Sequence, residues 1–295
     1  MHTIKAIFIS MRPEQWSKNL IVFAGVFFGM SILNAGIAAK AVQVFFIFCL
    51  LSGAAYIVND IVDAERDRHI AEKKARPIAA GTLGVIPAMI SAAAIFITCL
   101  VWSFMISFGV LTIVLAFMVL HFAYDVFLKH MVIIDVFSIA ASFLLRLFAG
   151  LSIITFTAAG FSSWVLLCTV LLSLFLALCK RRSELLLLMD KSGLHRKSLE
   201  GYSEKYIDQL ISITASATIL SYALYTVSPE TLAKHGTTRL TFTIPFVIYG
   251  MFRYLYLVYI KGKGLKPERL LIRDIPFLLN MVLYVACVFT ILYMK

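Results

Sequence analysis

Asp60, Asp63 and Asp67 are the residues of this chain best placed to do chemistry. They lie in Asn59 to Asp67, NDIVDAERD, where a long apolar run gives way to a basic segment. At about 100° per residue, offsets of three and seven bring these carboxylates within roughly 60° of one another on one helix face. Clustered carboxylates beside hydrocarbon are costly and tend to mark function, and hard oxygen ligands on one face suit Mg²⁺ shared with a phosphorylated substrate. The plainer alternative is a solvated helix end, with Glu65, Arg66 and Arg68 neutralising the cluster.

The next stretch, AEKKARPIAAG, sets Lys73, Lys74 and Arg76 ahead of Pro77 and Gly81. The aspartates would supply a metal with oxygens while the bases neutralise the remaining phosphate charge, the two halves of a Mg-diphosphate site. Ordinary membrane-flanking charge competes with that view. Asp125 and Lys129 in YDVFLKH have the spacing and order of a helix-end salt bridge, which competes with Lys129 contacting a phosphate. Trp16 and Lys18 in RPEQWSKN suit an interface anchor equally well. Arg146 and Arg253 fall inside apolar runs, where a cation must be paired or face a polar cavity. A structural partner is the expectation for Arg146. Arg253, among Tyr249, Tyr254, Tyr256 and Tyr259, is placed to close the wet end of a cavity, with Tyr202 and Asp274 as weaker candidates at the same mouth. The histidines form no ligand spacing and no nucleophile motif is present, so covalent catalysis is not expected.

The elements that must position these residues are membrane helices. The chain has 295 residues, 61% of them hydrophobic and only 15% charged, far from the composition of a soluble domain. Its net charge of +11 is not clustered on a soluble module, so nucleic acid is not an expected partner. The five cysteines all sit in apolar runs and show neither a disulfide framework nor a zinc pattern. Residues 1–18 read as an interfacial helix ahead of a single transmembrane domain, not as a cleaved signal. Nine runs reach the roughly 20 residues that a span needs: approximately 19–37, 41–60, 85–107, 109–128, 132–153, 162–180, 207–228, 240–260 and 275–294. They lack barrel alternation, so an all-helical bundle follows. Most Lys and Arg outside the runs fall on one side, leaving Lys40, Lys234, Arg239 and Lys295 on the other. The rich side is therefore expected to be cytoplasmic, with the N-terminus inside and the polar motifs opening there, in an inner (cell) membrane. Two long connections, after the second and sixth runs, suggest a four-plus-four repeat by spacing alone. An oligomer is compatible with all of this, and nothing in the sequence sets its size.

Taken together, NDxxDxxxD followed by RPxxxG resembles the UbiA superfamily of intramembrane transferases, which act on polyprenyl substrates. The resemblance implies nine transmembrane helices around a central cavity open to the bilayer, with the first aspartate motif binding Mg²⁺ and a diphosphate. On that basis Asn59, Asp60, Asp63 and Asp67 inherit the role, with Arg76 and Lys73 beside them, and Asp60, Asp63 and Asp67 as metal ligands. Most prenyltransferases of the superfamily carry a second aspartate motif after the sixth span. Here that place reads ALCKRRSELLLLMDKSG, in which Lys180, Arg181 and Arg182 stand with only Glu184 and the later Asp190. One acidic and one basic stretch suit a single Mg-diphosphate plus a second, metal-free phosphate, which points to two phosphorylated substrates.

RPEQWSKN, YDVFLKH and KRRSEL are most similar to one branch, the decaprenyl-phosphate phosphoribosyltransferases, although Asp125 stands where a small polar residue is expected. The resemblance implies transfer of 5-phosphoribosyl from phosphoribosyl diphosphate to a polyprenyl phosphate, with release of diphosphate. Lys129 would then act with the aspartates, and Lys18, Tyr124, Lys180, Arg181, Glu184, Tyr202 and Arg253 would line the substrates. Two alternatives stand beside it. Prenyl transfer from a prenyl diphosphate to an aromatic or other small acceptor would call for a second acidic cluster. A transporter or lipid flippase would spread polar residues through several spans.

Overall fold

The computed structural model describes residues 2–70, 73–154, 163–189, 199, 201–262, 264, 270 and 273–294. Among them the regular structure is entirely helical. In order these are α1 (His2–Ser10), α2 (Ile21–Phe28), α3 (Ala35–Val62), α4 (Ala64–Arg68), α5 (Val85–Ile106), α6 (Phe108–Val126), α7 (Ile134–Leu151), α8 (Ser163–Met189), α9 (Glu204–Val227), α10 (Pro229–His235), α11 (Ile244–Tyr259) and α12 (Ile275–Tyr293). Short 3-10 turns cover Pro13–Leu20, Leu128–His130 and Arg239–Thr243.

Eight helices among the described residues are long and apolar enough to cross a bilayer. They match eight of the nine expected runs, the segment at 240–260 combining the 3-10 turn Arg239–Thr243 with α11. The remaining run, 19–37, is not one continuous helix. A 3-10 turn leads into the eight-residue α2, which stops at Gly29, and Met30 follows at φ 55. Asn34 then caps α3 through the Ile37 N–H, so that helix begins at Ala35, earlier than expected. Asp190, named above with the basic stretch, lies outside the described residues.

The chain divides into two compact units. The first comprises Met1–Leu128 with Leu145–Phe156, and the second Lys129–Leu144 with Thr157–Lys295. In the first unit α3 is the central helix, packed by α2, α5 and α6. Its core runs from Val22, Phe48 and Phe117 to a second cluster around Ile57, Ile78 and Leu83. The backbones of α2 and α7 touch where a Cβ on Gly150 would lie 1.9 Å from the Val22 carbonyl oxygen, so only glycine fits. The second unit is built on the α8–α9 pair with α11 and α12 beside it, around Phe175, Ile207, Ile211 and Tyr254. Ser203 and Asp274 cap α9 and α12.

Large apolar side chains also face outward, among them Ile90, Ile97 and Phe104 on α5, Val119 and Phe122 on α6, and Leu279 and Val282 on α12. Water would penalise such faces, whereas hydrocarbon does not. On α1, Ile4, Phe8 and Ile9 are exposed while Ala6 is buried, and Met11 just beyond it packs against Gly53.

Candidate active site

The first unit gathers the acidic motif around two arginines. Asp60 lies in the last turns of α3. That helix ends at Val62, because Asp63 leaves the helical region (φ −89, ψ 3) and the chain recoils as α4, which carries Asp67. The three carboxylates are therefore not on one uninterrupted helix face, as the spacing alone predicts. Asp60 and Asp67 are nevertheless brought together by Arg76, whose Nη1 donates to Asp60 Oδ1 at 3.0 Å and to Asp67 Oδ2 at 2.5 Å. Arg76 reaches back from a turn in which its N–H bonds Lys73 O and Ala80 N–H bonds its carbonyl. Gly81, at φ 73, then lets the chain reverse into α5.

Arg12 is the second clamp, donating to Asp60 Oδ1 with its guanidinium 4.8 Å over the Tyr56 ring. It holds a left-handed conformation at φ 52, which is uncommon for a non-glycine residue. Both carboxylates are buried, as an unpaired charge could not be. Asp67 Oδ1 is buried and accepts no hydrogen bond, with Lys73 Nζ 3.5 Å away. Burial pulls the Lys73 ammonium below its ordinary value, against the opposing pull of Asp67. Among the described residues no three His, Cys, Asp or Glu side chains group closely enough to hold a metal by themselves. Two buried carboxylates, one with an oxygen to spare, do fit a hard divalent cation whose other oxygens come from a phosphate and water.

Around this pair, Asn59 Nδ2 donates to Asp125 Oδ1 at 2.8 Å. α6 ends at Val126, and Lys129 is buried in the separate 3-10 turn Leu128–His130. Gln15 Oε1 accepts from both Lys18 Nζ and Tyr56 OH, each at 2.8 Å. Tyr124 is half-buried on α6. Arg146 is buried, donates to Asn19 Oδ1 at 2.6 Å and Ser52 Oγ at 3.2 Å, and lies 4.6 Å over Phe117.

The second unit organises the basic stretch differently. Arg181 Nε donates to Asp135 Oδ2 at 2.8 Å and its Nη1 donates to Glu184. Lys180 Nζ stands 3.9 Å from Glu184. Asp135 also receives the Tyr202 hydroxyl at 2.9 Å and its neighbour's N–H, from Val136, at 2.9 Å. Burial, then the adjacent Asp135 carboxylate, hold the Tyr202 phenol above its ordinary value. Arg182 pairs separately with Asp208 at 2.6 Å and Glu204 at 2.9 Å, over the Tyr259 ring. Arg253 makes a two-point pair with Asp274 at 3.0 and 2.8 Å, which ties α11 to the start of α12.

Of the residues singled out from the sequence, one group therefore comprises Asn59, Asp60, Asp67, Lys73 and Arg76, and another Lys180, Arg181, Glu184 and Tyr202. Asp63 is half-buried at the end of α3, outside the ion pairs that Arg76 makes with Asp60 and Asp67. Arg253 belongs to a separate pair within the second unit. Sequence reasoning missed Arg12 as a partner of Asp60, Asp125 as the acceptor for Asn59, and Asp135 altogether. Arg12 stood in a motif already noticed, but an isolated carboxylate such as Asp135 in an apolar helix was itself the available signal.

With this geometry in hand, comparison with known proteins is specific. The UbiA prenyltransferase family matches residues 20–281. A decaprenyl-phosphate phosphoribosyltransferase from Corynebacterium glutamicum is 32% identical over 96% of this chain and 86% of its own length. One from Mycolicibacterium smegmatis is 31% identical over 84% and 82%. In fold, a UbiA homolog from Archaeoglobus fulgidus bound to GPP and Mg²⁺ superposes with a TM-score of 0.72 at 18% identity, covering 97% of this chain and 99% of that one. A digeranylgeranylglyceryl phosphate synthase structure gives 0.68 at 16% identity over the whole of both chains. The chain therefore belongs to the UbiA prenyltransferase family and is, by that membership, a multi-pass membrane transferase.

Proposed function

We propose that this enzyme transfers a 5-phosphoribosyl group from phosphoribosyl diphosphate to a polyprenyl phosphate such as decaprenyl phosphate, and releases diphosphate. The relatives that carry this activity in their names support the reading. The observation that carries it is the contrast between the two charged clusters. Asp60 and Asp67 form a buried two-carboxylate pair with an oxygen to spare, whereas Lys180, Arg181 and Glu184 of the KRRSEL stretch form with Asp135 an alternating series of bases and acids. The first suits a metal-bound diphosphate and the second a phosphate without a metal.

Asp60 and Asp67 would hold Mg²⁺, and Asp63, three residues after Asp60 at the end of α3, would join through water. When bound, the ion supplies charge stabilisation to the departing diphosphate. Arg76 and Arg12 already stand at these carboxylates and would turn their remaining donors to the diphosphate oxygens. Lys73, beside Asp67, adds a further positive charge. As the bond from ribose C1 to diphosphate breaks, an oxygen of the lipid phosphate forms the new bond on the opposite face, with inversion at C1. That oxygen is already anionic, so the protein must orient it and exclude water, and no general base is required. Lys129 and Lys180 are the side chains proposed to hold phosphate, with Lys18 and Tyr124 near the first motif.

A single family match across residues 20–281 supports reading residues 1–295 as one transmembrane domain. The uneven Lys and Arg distribution supports a cytoplasmic mouth in the inner membrane. The test is product analysis with Asp60→Asn and Asp67→Asn. Each should remove turnover while the protein stays folded, and wild-type product should carry the inverted C1. Near-native rates in both variants, or retained configuration, would overturn the proposal.

A further inference from the structure

We propose that Asp135 and Arg181 are positioning residues of a metal-independent phosphomonoester subsite in the second unit, whose contact residue is Lys180. The proposal rests on the two-phosphate reading above and divides the labour within it. Arg181 is 1% exposed and already donates to two carboxylates, so it has no surface to offer a ligand. Lys180, the adjacent residue, keeps 39% of its side chain accessible and is held at 3.9 Å by Glu184. The four groups form an alternating series from Asp135, wholly buried, through Arg181 and Glu184 to Lys180. A lysine ammonium is a compact point charge with three donors, suited to a phosphate dianion once its stem is steered.

The buried end of the series is fixed with unusual firmness. Tyr202 OH donates to Asp135 and simultaneously accepts the Ile133 N–H at 2.7 Å. Ile133 has φ 69, a left-handed conformation that a β-branched residue avoids unless its surroundings impose it. Gly201, next to Tyr202, packs so close to Val132 that a Cβ there would lie 2.4 Å from Val132 Cγ2. At the other side of α8, a Cβ on Gly264 would lie 2.0 Å from Ser183 Oγ. Strain held by a buried carboxylate, ending in an accessible cation, is the arrangement expected of a preorganised binding group. Without the Asp135 charge, Arg181 loses the buried acid that holds its Nε, and its pull shifts toward Glu184, the acid that steers Lys180.

The chemistry fits a phosphomonoester, which both a ribose 5-phosphate group and a polyprenyl phosphate present. The experiment titrates the full-length protein in nanodiscs, in EDTA, with ribose 5-phosphate in one arm and farnesyl phosphate in the other, with farnesol as control. Wild type should bind one of the two phosphates, and the arm that binds names the source. Lys180→Gln should weaken that binding at least about tenfold, as loss of one charge-assisted contact would, and Lys180→Arg should restore most of it. Asp135→Asn should weaken it several-fold, with Tyr202→Phe as the milder second variant if the first does not fold.

Binding of neither phosphate in EDTA, or equal affinity in Lys180→Gln, overturns the subsite. Lower thermal stability with native affinity in both Asp135→Asn and Tyr202→Phe overturns the positioning role. If phosphoribosyl transfer itself is absent while these affinities change as stated, the subsite stands and the reaction assignment falls.

Discussion

Replacing Arg76 by methionine removes the one side chain that bridges Asp60 and Asp67. Methionine keeps much of the stem's packing but leaves two buried carboxylates facing each other. Asp60 retains Arg12, and Asp67 retains only Lys73 at 3.5 Å. Breaking a buried pair by deleting one partner costs about 3–5 kcal/mol. Arg76 is 24% exposed along its side chain and both acids keep a second cation, so the lower end applies, about 3 kcal/mol. For a chain of 295 residues that corresponds to a fall in Tm of roughly 5 °C. Cys49 and Cys99 are buried free thiols in the same unit, so unfolding in detergent can be followed with a thiol-reactive dye. Mg²⁺ bound only by the folded state adds about 2.7 kcal/mol at a hundredfold excess over its Kd. Because the variant no longer sets a guanidinium against the metal, Mg²⁺ should raise its Tm more than it raises that of wild type. A variant that melts within a degree of wild type, or that responds to Mg²⁺ no more than wild type does, would refute the desolvated pair.

Two further outcomes follow from the packing. Tyr202→Phe strands the Ile133 N–H and takes a donor from Asp135, a loss of about 2–3 kcal/mol measurable as lowered Tm. The phenol is held above its ordinary value of 10.0, so its contribution is complete below that pH and is lost as pH rises through the higher, folded value. The Tm gap between wild type and Tyr202→Phe should therefore be constant below pH 10 and close above it; a gap independent of pH would contradict the assignment. Gly150→Ala drives a Cβ into the Val22 backbone carbonyl and should cost about 3 kcal/mol or more, whereas Gly81→Ala meets no neighbour and should cost only about 1–2 kcal/mol, from its left-handed backbone. Equal losses in the two alanine variants, by the same thermal assay, would show that α2 and α7 are not in backbone contact.

The helices were legible because an apolar run of span length has few other solutions, and eight of the nine runs are helices of that kind among the described residues. The run at 19–37 misled because hydrophobicity reports burial and not continuity. Gly29, Met30 at positive φ and the Asn34 cap divide it, and composition is blind to those dihedrals. In the site, the types and order of Asp60, Asp67 and Arg76 were legible, since a short turn joins them. Helical periodicity also put Asp63 in line with its neighbours, although the helix stops there. The most distant partners were not legible. Arg12 meets Asp60 across 48 residues and Arg181 meets Asp135 across 46, and periodicity states which face a residue occupies but never what stands opposite. Arg253 is a partial exception, since Asp274 was placed at the same mouth from the sequence and does take both arms of its guanidinium.

The central claim is that a sugar phosphate, and not a prenyl group, is the moiety transferred. The direct measurement incubates the reconstituted enzyme with phosphoribosyl diphosphate radiolabelled in the ribose and with decaprenyl phosphate, then counts label extracted into the lipid phase. Label should enter the lipid only when both substrates and Mg²⁺ are present, and EDTA should abolish it. Label that stays in the aqueous phase while a prenyl diphosphate is consumed with an aromatic acceptor would contradict the account.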